Sequence, residues 1–184
     1  MDTKKFQAES ERLLLRPLEN HDYERWLEGF RTRLPSQYKH DEDKMDLSGW
    51  TQEKFNDVVT RHHELDVRDD GYILSVFRKS DLKHIGMVGF WTLMRREFQW
   101  AFMEYRIHNQ YWKKGYGQEA VKEGLNFAFK NLGFHRIEAH INVDNEPSIR
   151  LAERVGLLYE CQRKEFIYES NHWTDNIVYY MNAK

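Results

Sequence analysis

The chain has 184 residues, which fits a single domain large enough to bury a substantial core. Its 28 basic and 30 acidic side chains are closely intermixed and leave a net charge of -2, so a nucleic-acid partner is not expected. The one cysteine, Cys161, excludes an internal disulfide and a cysteine-based metal site and favours a reducing cytoplasm.

The first third of the chain predicts one strand and two helices. The segment RLLLRPL at 12–18 is typical of a strand that ends at Pro17. Asn20 predicts the cap of a helix that runs through about Phe30, and Thr51 predicts the cap of a second helix. The side chains expected on the buried faces are Tyr23, Trp26, Leu27 and Phe30 in the first helix and Phe55, Val58, Val59 and His62 in the second. The polar stretch between the two helices, 34–48, predicts a mobile surface loop.

The rest of the chain predicts an antiparallel meander followed by alternating helices and strands. Charged turns separate the three strands of the meander, and Gly133 is a typical helix stop. The predicted elements are strands at 72–77, 85–91 and 97–107, a helix from 116 to about Leu132, a strand at 136–143, a short helix from near Pro147 to Gly156, and strands at 157–168 and 174–181. This order indicates a mixed α+β sheet.

The segment YWKKGYGQEA at 111–120 contains two glycines just before a predicted helix. Gly115 and Gly117 permit positive φ or close approach of a ligand to the backbone, and the first turn of a helix offers unpaired N–H groups that suit a phosphate. A GxxxxGK[ST] loop is absent, and Ala120 together with the late position disfavours a dinucleotide fingerprint. Taken alone, the motif is equally typical of an ordinary entry into a helix.

Four ordered blocks of sequence together resemble the GNAT superfamily of acyl-CoA-dependent N-acetyltransferases, in its RimJ/RimL-like branch. The blocks are RLLLRPLENHDYERW, EYRIHNQYWKKGYGQEA, RIEAHINVDNEPSIRLAERVGL and GLLYECQRKEFIYESNHWTDNIVYYM. The resemblance covers about residues 10–181 of a single domain that spans 1–184. It implies the GNAT fold, a mixed and mostly antiparallel sheet of about six or seven strands flanked by about four helices, with acetyl-CoA as co-substrate.

The resemblance also implies where acetyl-CoA binds. Backbone N–H groups from about Lys113 to Gln118 would hold the pyrophosphate, and strand 97–107 would diverge from the next strand so that its backbone pairs with the pantetheine arm. Asn145 would bond to that arm from the other side, although a turn residue or helix cap is the alternative interpretation. The implied contacts are Ile107, His108, Trp112, Lys113, Lys114, Gly115, Tyr116, Gly117, Gln118 and Asn145.

Trp112 stands where many members of the wider superfamily have Gln or Arg, although an aromatic is common there in this branch, and two positions tied to catalysis depart as well. Phe102 stands where many members have a glutamate base, and Ala152 stands where many have a tyrosine that protonates the leaving thiolate. Glu104 lies on the same strand face as Phe102 and becomes the candidate general base, with an arginine ion pair as an equal alternative. Ser148 matches the serine of the branch and becomes the candidate proton donor, with a first-turn residue that satisfies backbone donors as the alternative. Cys161 falls in a predicted strand, where packing is expected rather than covalent catalysis.

The branch resemblance implies a protein or peptide N-terminal α-amine as the acceptor. An α-amine has a pKa of about 8 and is roughly one-tenth neutral at pH 7, whereas a lysine amine, with a pKa of about 10.4, is neutral in only about one molecule in 2,000. An α-amine therefore requires a weaker base. Two alternatives stay open, a small-molecule (polyamine, amino acid or aminoglycoside) acetyltransferase and a non-catalytic acyl-CoA-binding module.

Other features of the sequence carry weaker expectations. Nine histidines form neither HExxH nor an i, i+4 pair, so no metal is expected, and no apolar run suggests a membrane span or secretory signal. Aromatic surface around Trp91 and Trp100 could support a homodimer, although core burial explains these residues equally well. The loop 34–48 is expected near the substrate entrance, and its acidic run DEDKMD (41–46) could attract a cationic acceptor, although a solvated charge run is an alternative.

Overall fold

The computed structural model describes residues 6–184 and has the predicted α+β architecture. Its strands are β1 (Ala8–Glu9), β2 (Leu13–Arg16), β3 (Gly71–Arg78), β4 (His84–Met94), β5 (Trp100–Ile107), β6 (Arg136–Asn142), β7 (Leu158–Glu169) and β8 (His172–Asn182). Its helices are α1 (Tyr23–Arg31), α2 (Gln52–Val67), α3 (Tyr116–Lys130) and α4 (Glu146–Val155). The two-residue strand β1 is the one strand among these that the sequence pattern did not predict, because it is too short to show an alternation.

The eight strands form one sheet in the order β1-β2-β3-β4-β5-β6-β8-β7. Neighbours are antiparallel except for β5 and β6, so the predicted meander is confirmed. β5 begins at Trp100 rather than at 97, because the preceding turn holds Arg96 and Gln99 at positive φ. Within residues 6–184, no helix combines the length and apolar composition needed to cross a bilayer.

Helices cover both faces of the sheet, as alternation of side chains along its strands requires. Leu13, Leu15 and Val76 face one side, where α3 and α4 pack against the sheet. On the opposite side Leu14 and the fully buried Phe77 contact α1 and α2, with Phe55 of α2 also fully buried. Truncating a phenylalanine at such a position costs about 3–5 kcal/mol of stability. The predicted core faces of α1 and α2 are confirmed. Trp26, Leu27 and Phe55 are buried, and the side chains packed against them include Tyr23, Phe30, Val58 and Val59.

The two predicted helix caps have different outcomes. Thr51 caps α2, since its hydroxyl accepts a hydrogen bond from the Lys54 amide at 3.3 Å. The prediction that Asn20 caps the first helix is wrong. The chain enters α1 through a 3-10 turn, Asn20–Asp22, in which buried Asp22 accepts from the Glu19 amide at 2.9 Å. Arg16 holds Asp22 in place through a 2.6 Å ion pair, and Asp22 is the residue at the N-cap of α1.

The strands β5 and β6 pair only at their beginnings. Three parallel pairs run from Trp100–Arg136 to Phe102–Glu138, and no pair joins the remainder of the two strands within the described residues. The expected divergence of these strands is therefore confirmed. Beyond the last pair the sheet contains a wedge-shaped opening, which is called the β5–β6 opening below.

Candidate active site

The N-terminus of α3 lies beside the β5–β6 opening and is built as the glycine motif predicts. Gly115 adopts φ +80° at the N-cap, a left-handed conformation that favours glycine. The first intrahelical bond is from the Glu119 amide to the Gly115 carbonyl at 3.1 Å. The amides of Tyr116, Gly117 and Gln118 have no acceptor within residues 6–184. Three N–H groups at the positive end of the helix dipole are thus available to an anion.

An arginine from the first block of the sequence reaches this helix end. Arg12 Nη1 donates to the Lys114 carbonyl at 3.0 Å, and its guanidinium lies 4.6 Å from the centre of the Tyr116 ring. It also forms a 2.6 Å ion pair with Glu119, the acidic residue of the first turn. Burial raises the pKa of the Glu119 carboxyl, but hydrogen bonds from Ser10 and Arg12 outweigh this and lower it. Arg12 therefore neutralises a carboxylate that would otherwise repel a phosphate.

The three residues before Gly115 form the rim of this site. Lys113, at φ +60°, and Lys114 are both exposed, and Lys114 Nζ donates to the Gln110 carbonyl at 3.3 Å. The Trp112 indole N–H donates to the Ile107 carbonyl at 2.6 Å. Trp112 thus ties the rim to the end of β5 through its side chain.

The end of β5 offers backbone groups to the opening, but at different residues than the resemblance implied. The His108 amide donates to Ile85 in β4 at 2.9 Å, and its imidazole is buried 3.2 Å from His84. His108 therefore faces away from the opening and is a correction to the predicted contacts. Because successive backbone groups of a strand point to opposite sides, the amides of Ile107 and Tyr105 face the opening. Ile107 keeps its predicted place and Tyr105 joins it.

A pair of hydroxyls lies between β5 and α4. Tyr105 Oη is 2.8 Å from Ser148 Oγ and 3.1 Å from the Ser148 carbonyl oxygen. Burial raises the pKa of the Tyr105 phenol to about 12, so the phenol keeps its proton at neutral pH. The Ser148 hydroxyl is thus bonded to a phenol rather than to backbone donors. The sequence did not indicate Tyr105, because it precedes Ser148 by 43 residues.

Asn145 acts as the cap of α4. Its Oδ1 accepts from the Ser148 amide at 3.3 Å and from the Tyr38 hydroxyl at 3.4 Å. The cap interpretation is therefore confirmed. The side-chain Nδ2 has no acceptor within residues 6–184 and is available to a ligand in the opening.

Glu104 lies on the opposite face of the sheet, with Phe102 and Arg106. It is exposed and makes no ion pair within residues 6–184, so the alternative of an arginine partner does not apply there. The residue paired with Glu104 in β4 is Gly89, and a Cβ atom added to this glycine would lie only 3.2 Å from Glu104 Cγ. The glycine thus leaves room beside the carboxylate.

The loop 34–48 lies between α1 and α2 in the chain and reaches the turn before α4. It is anchored more firmly than its composition predicts. Asp41 is buried and accepts from Arg33 at 2.7 Å and from the Asn109 side chain at 2.9 Å. Glu42 pairs with Arg106 at 2.8 Å. Because two carboxylates of the acidic run are paired within the protein, its attraction for a cationic acceptor is weaker than expected.

The tip of the same loop lies against the groups that border the opening. Tyr38 packs 5.7 Å from the centre of the Trp112 ring. Lys39 and His40 each bond Asp144 at 2.6 Å, and these hydrogen bonds lower the pKa of the Asp144 carboxyl to about 2. The loop therefore spans the opening from the β5 end to the α4 end.

The sequence itself decides the family. Residues 12–158 match the acetyltransferase (GNAT) domain. The chain belongs to the GNAT family. This assignment and the similarity to several N-acetyltransferases identify it as an N-acetyltransferase.

Individual relatives cover different shares of this GNAT chain. It is 31% identical over 120 residues to Probable N-acetyltransferase YjcK of Bacillus subtilis, covering 65% of this chain and 66% of the relative. It is 23% identical over 180 residues to the [ribosomal protein uS5]-alanine N-acetyltransferase of Escherichia coli, covering 95% and 89%. The solved structure of Mycobacterium smegmatis RimJ in complex with CoA-disulfide shares the fold, with a TM-score of 0.76 and 18% identity over 93% of this chain and 82% of that chain.

The surroundings of Ala152 and Phe102 show why the side chains usual at these two positions in the wider family are absent. Ala152 is fully buried in the core, so a tyrosine would not fit there without repacking. Tyr105 brings a phenol to α4 from the facing strand instead. Phe102 stacks between Trp91 and His140, so the usual glutamate position is filled by an aromatic ring.

Proposed function

We propose that this GNAT protein transfers the acetyl group of acetyl-CoA to the α-amine of a protein or peptide N-terminus, by direct attack in a ternary complex. The observation that carries the proposal is the β5–β6 opening, which has anion-binding amides at α3, hydroxyls on one sheet face and a carboxylate on the other. The RimJ structure with its bound CoA-disulfide supports the choice of co-substrate.

The residues around the opening fit the parts of acetyl-CoA in order. The amides of Tyr116, Gly117 and Gln118 would hold the pyrophosphate, with Lys113, Lys114 and Arg12 adding positive charge. Backbone groups of Tyr105 and Ile107 would pair with the pantetheine arm, and Asn145 Nδ2 would bond it from the α4 side. The thioester would then lie between the two sheet faces, close to Ser148.

The two faces would serve the two proton movements of the reaction. The amine nitrogen forms a C–N bond with the thioester carbonyl carbon as the C–S bond breaks. Ser148, hydrogen-bonded to Tyr105, can donate a proton to the departing sulfur on one face. On the other face Glu104 can attract a cationic amine or accept its proton through water.

An α-amine is the preferred acceptor for two reasons. A relative that spans 95% of the chain is named for acetylating an alanine of ribosomal protein uS5. In addition, an α-amine, being about a tenth neutral at pH 7, requires less assistance from a base than a lysine amine does.

The test is an acceptor panel read by release of free thiol from acetyl-CoA. It should contain peptides with alanine or serine at a free N-terminus, the same peptides with a blocked terminus and an internal lysine, a polyamine and an aminoglycoside. We expect turnover with the free termini only. Turnover with the polyamine or drug alone would replace the proposed acceptor. Tight CoA binding without thiol release from any acceptor would favour a binding module.

Calorimetry with CoA separates binding from chemistry in the same panel. Gly115→Val should abolish the measured heat, because valine resists the left-handed conformation that the N-cap needs. Gly133→Val is the matched control, since Gly133 also has positive φ but lies beyond the other end of α3. The homodimer, the cytoplasmic location and the absence of a metal remain predictions. Trp91 and Trp100 are partly buried, whereas Tyr168 and Trp173 of the β7–β8 hairpin are exposed.

A further inference from the structure

A carboxylate and an imidazole lie together in β6 where the β5–β6 opening begins. Glu138 is 2% exposed and His140 is 11% exposed. Glu138 Oε2 is 2.8 Å from His140 Nε2. Neither residue has a part in the proposed chemistry so far, yet both are held at the border of the opening.

The position of the imidazole is fixed by its aromatic neighbours. The His140 ring stacks on Phe102 at 5.8 Å with an interplanar angle of 16°, and Phe166 of β7 meets it edge-on at 5.3 Å. Glu138 is paired with Phe102 in the last rung that joins β5 to β6, so His140 is on the first stretch of β6 that lacks a β5 partner. By alternation, His140 and Glu104 lie on the same sheet face, opposite the Tyr105 and Ser148 hydroxyls.

The protonation pattern of the pair follows from its hydrogen bonds. Burial raises the pKa of the Glu138 carboxyl, but hydrogen bonds from His140 and Arg136 outweigh this and lower it. An ionised carboxylate only accepts hydrogen bonds, so His140 donates from Nε2. Nδ1 then carries the lone pair. It has no hydrogen-bond partner within residues 6–184 and keeps some contact with solvent, so it is free to accept a proton.

We propose that His140 Nδ1 is the general base that takes the proton from the acceptor amine, and that Glu138 is the positioning residue that fixes its tautomer. The proposal rests on the acetyl transfer proposed above. It assigns to Glu104 the attraction of the cationic amine rather than proton abstraction.

The step is balanced. The amine nitrogen attacks the thioester carbon, the new C–N bond replaces the C–S bond, and the proton lost by nitrogen goes to His140 Nδ1. The sulfur gains a proton from Ser148 on the other face, as Ser148 takes one from the Tyr105 hydroxyl. Exchange with water then returns a proton to Tyr105 and removes one from His140, so that in sum one proton passes from nitrogen to sulfur. The imidazolium that forms donates to ionised Glu138, which stabilises the new charge. A phenylalanine at 102 has a role here too, since it provides the ring on which the base is stacked.

The charged groups that face the pair come from three strands. Arg136 donates to Glu138 at 2.8 Å, and Arg163 of β7 lies 3.9 Å from the same carboxylate. Glu160 of β7 binds the far side of Arg136 at 2.7 Å. Glu104 of β5 shares the sheet face.

Four variants test the assignment, each measured for kcat, KM and CoA affinity. His140→Gln should lower kcat by about 10²–10⁴-fold with CoA affinity unchanged. Glu138→Gln should lower kcat by at least about tenfold and remove the preference for a proton on Nε2 of the His140 ring in its 15N resonances, because the amide can donate as well as accept. Glu160→Gln is the matched control, since it removes a carboxylate from Arg136 without touching His140. Glu104→Gln should mainly raise KM.

The outcomes separate this proposal from the proposed function. If His140→Gln retains kcat within about threefold while Glu104→Gln loses it, acetyl transfer stands and the assignment of the base is wrong. If the wild-type protein neither binds CoA nor releases thiol, both proposals fail.

A measurement on the wild-type protein does not depend on turnover. The 15N resonances of the His140 ring should report a proton on Nε2 and none on Nδ1 at pH 7.5. A proton on Nδ1 would overturn the assignment even if His140→Gln were inactive.

Discussion

Replacing Asp41 by alanine should destabilise the protein strongly, although Asp41 lies in a polar loop. The carboxylate accepts hydrogen bonds from Arg33, from the Gln37 amide and from the Asn109 side chain at 2.7, 2.9 and 2.9 Å. The side chains of Arg33 and Asp41 are each only 2% exposed. Asp41→Ala therefore leaves a buried guanidinium without its close counter-ion.

The magnitude follows from the burial of the remaining partner. Removing one member of a buried ion pair costs about 3–5 kcal/mol. The Glu42 carbonyl at 2.9 Å and its carboxylate at 3.6 Å still reach Arg33, so the lower end, about 3 kcal/mol, is expected. For a chain of this size that corresponds to a decrease in Tm of about 6–12 °C.

Urea denaturation and thermal unfolding measure the effect. The control is Asp144→Ala, which removes a 2.6 Å pair with Lys39. The side chains of Lys39 and Asp144 are 71% and 50% exposed, so this loss should cost less than about 1 kcal/mol. A loss below about 1 kcal/mol for Asp41→Ala, or equal losses for both variants, would refute the role assigned to burial. Since Tyr38 belongs to the same loop, we also expect Asp41→Ala to raise the acceptor KM more than it changes CoA affinity.

Three further predictions concern single residues. Arg12→Gln should weaken CoA binding about tenfold and reduce its dependence on salt, measured by calorimetry at two ionic strengths; an unchanged affinity would contradict the role of Arg12. Tyr105→Phe should lower kcat by about 10–100-fold without changing CoA affinity, and a normal rate of thiol release would exclude the hydroxyl pair from catalysis. Burial raises the pKa of Asp22, but hydrogen bonds from Arg16 and the Glu19 amide outweigh this and lower it. Ionised Asp22 therefore stabilises the fold at pH values above its unfolded pKa of about 3.9, and this stabilisation is lost as pH falls through the lower pKa of the folded state. Asp22→Asn should therefore flatten the dependence of unfolding free energy on pH below about 4, and an unaltered dependence would argue against it.

The fold was predictable because its elements carry strong local patterns. The alternation in RIEAHIN and the helical spacing in α1 placed these elements close to their observed bounds. The left-handed turn at Gly115 was also predictable, because glycine before a helix permits the positive φ found there. Val143 is the counterexample. It continues the apolar alternation of β6 but is 42% exposed, since the strand ends at Asn142.

The side chains that complete the site were not predictable, because they meet only through tertiary structure. Arg12 and Lys114 are 102 residues apart, and no local pattern links them. The alternation of side chains along β6 predicts that Glu138 and His140 lie on its polar face. That face is covered by Phe102 and Phe166, so Glu138 is buried and His140 is 11% exposed, although the sequence pattern suggests that both are solvated.

The short pairing of β5 with β6 has a consequence for how the protein should respond to its ligand. Within residues 6–184 the sheet consists of two parts, β1–β5 and β6–β8, that are joined by three residue pairs between β5 and β6. A molecule that bonds both borders of the gap would act as a missing strand segment and would brace the two parts against each other. At a hundred times its Kd, such a ligand contributes about 2.7 kcal/mol, enough to rank co-substrates of different acyl length in a thermal-shift screen before any acceptor is known.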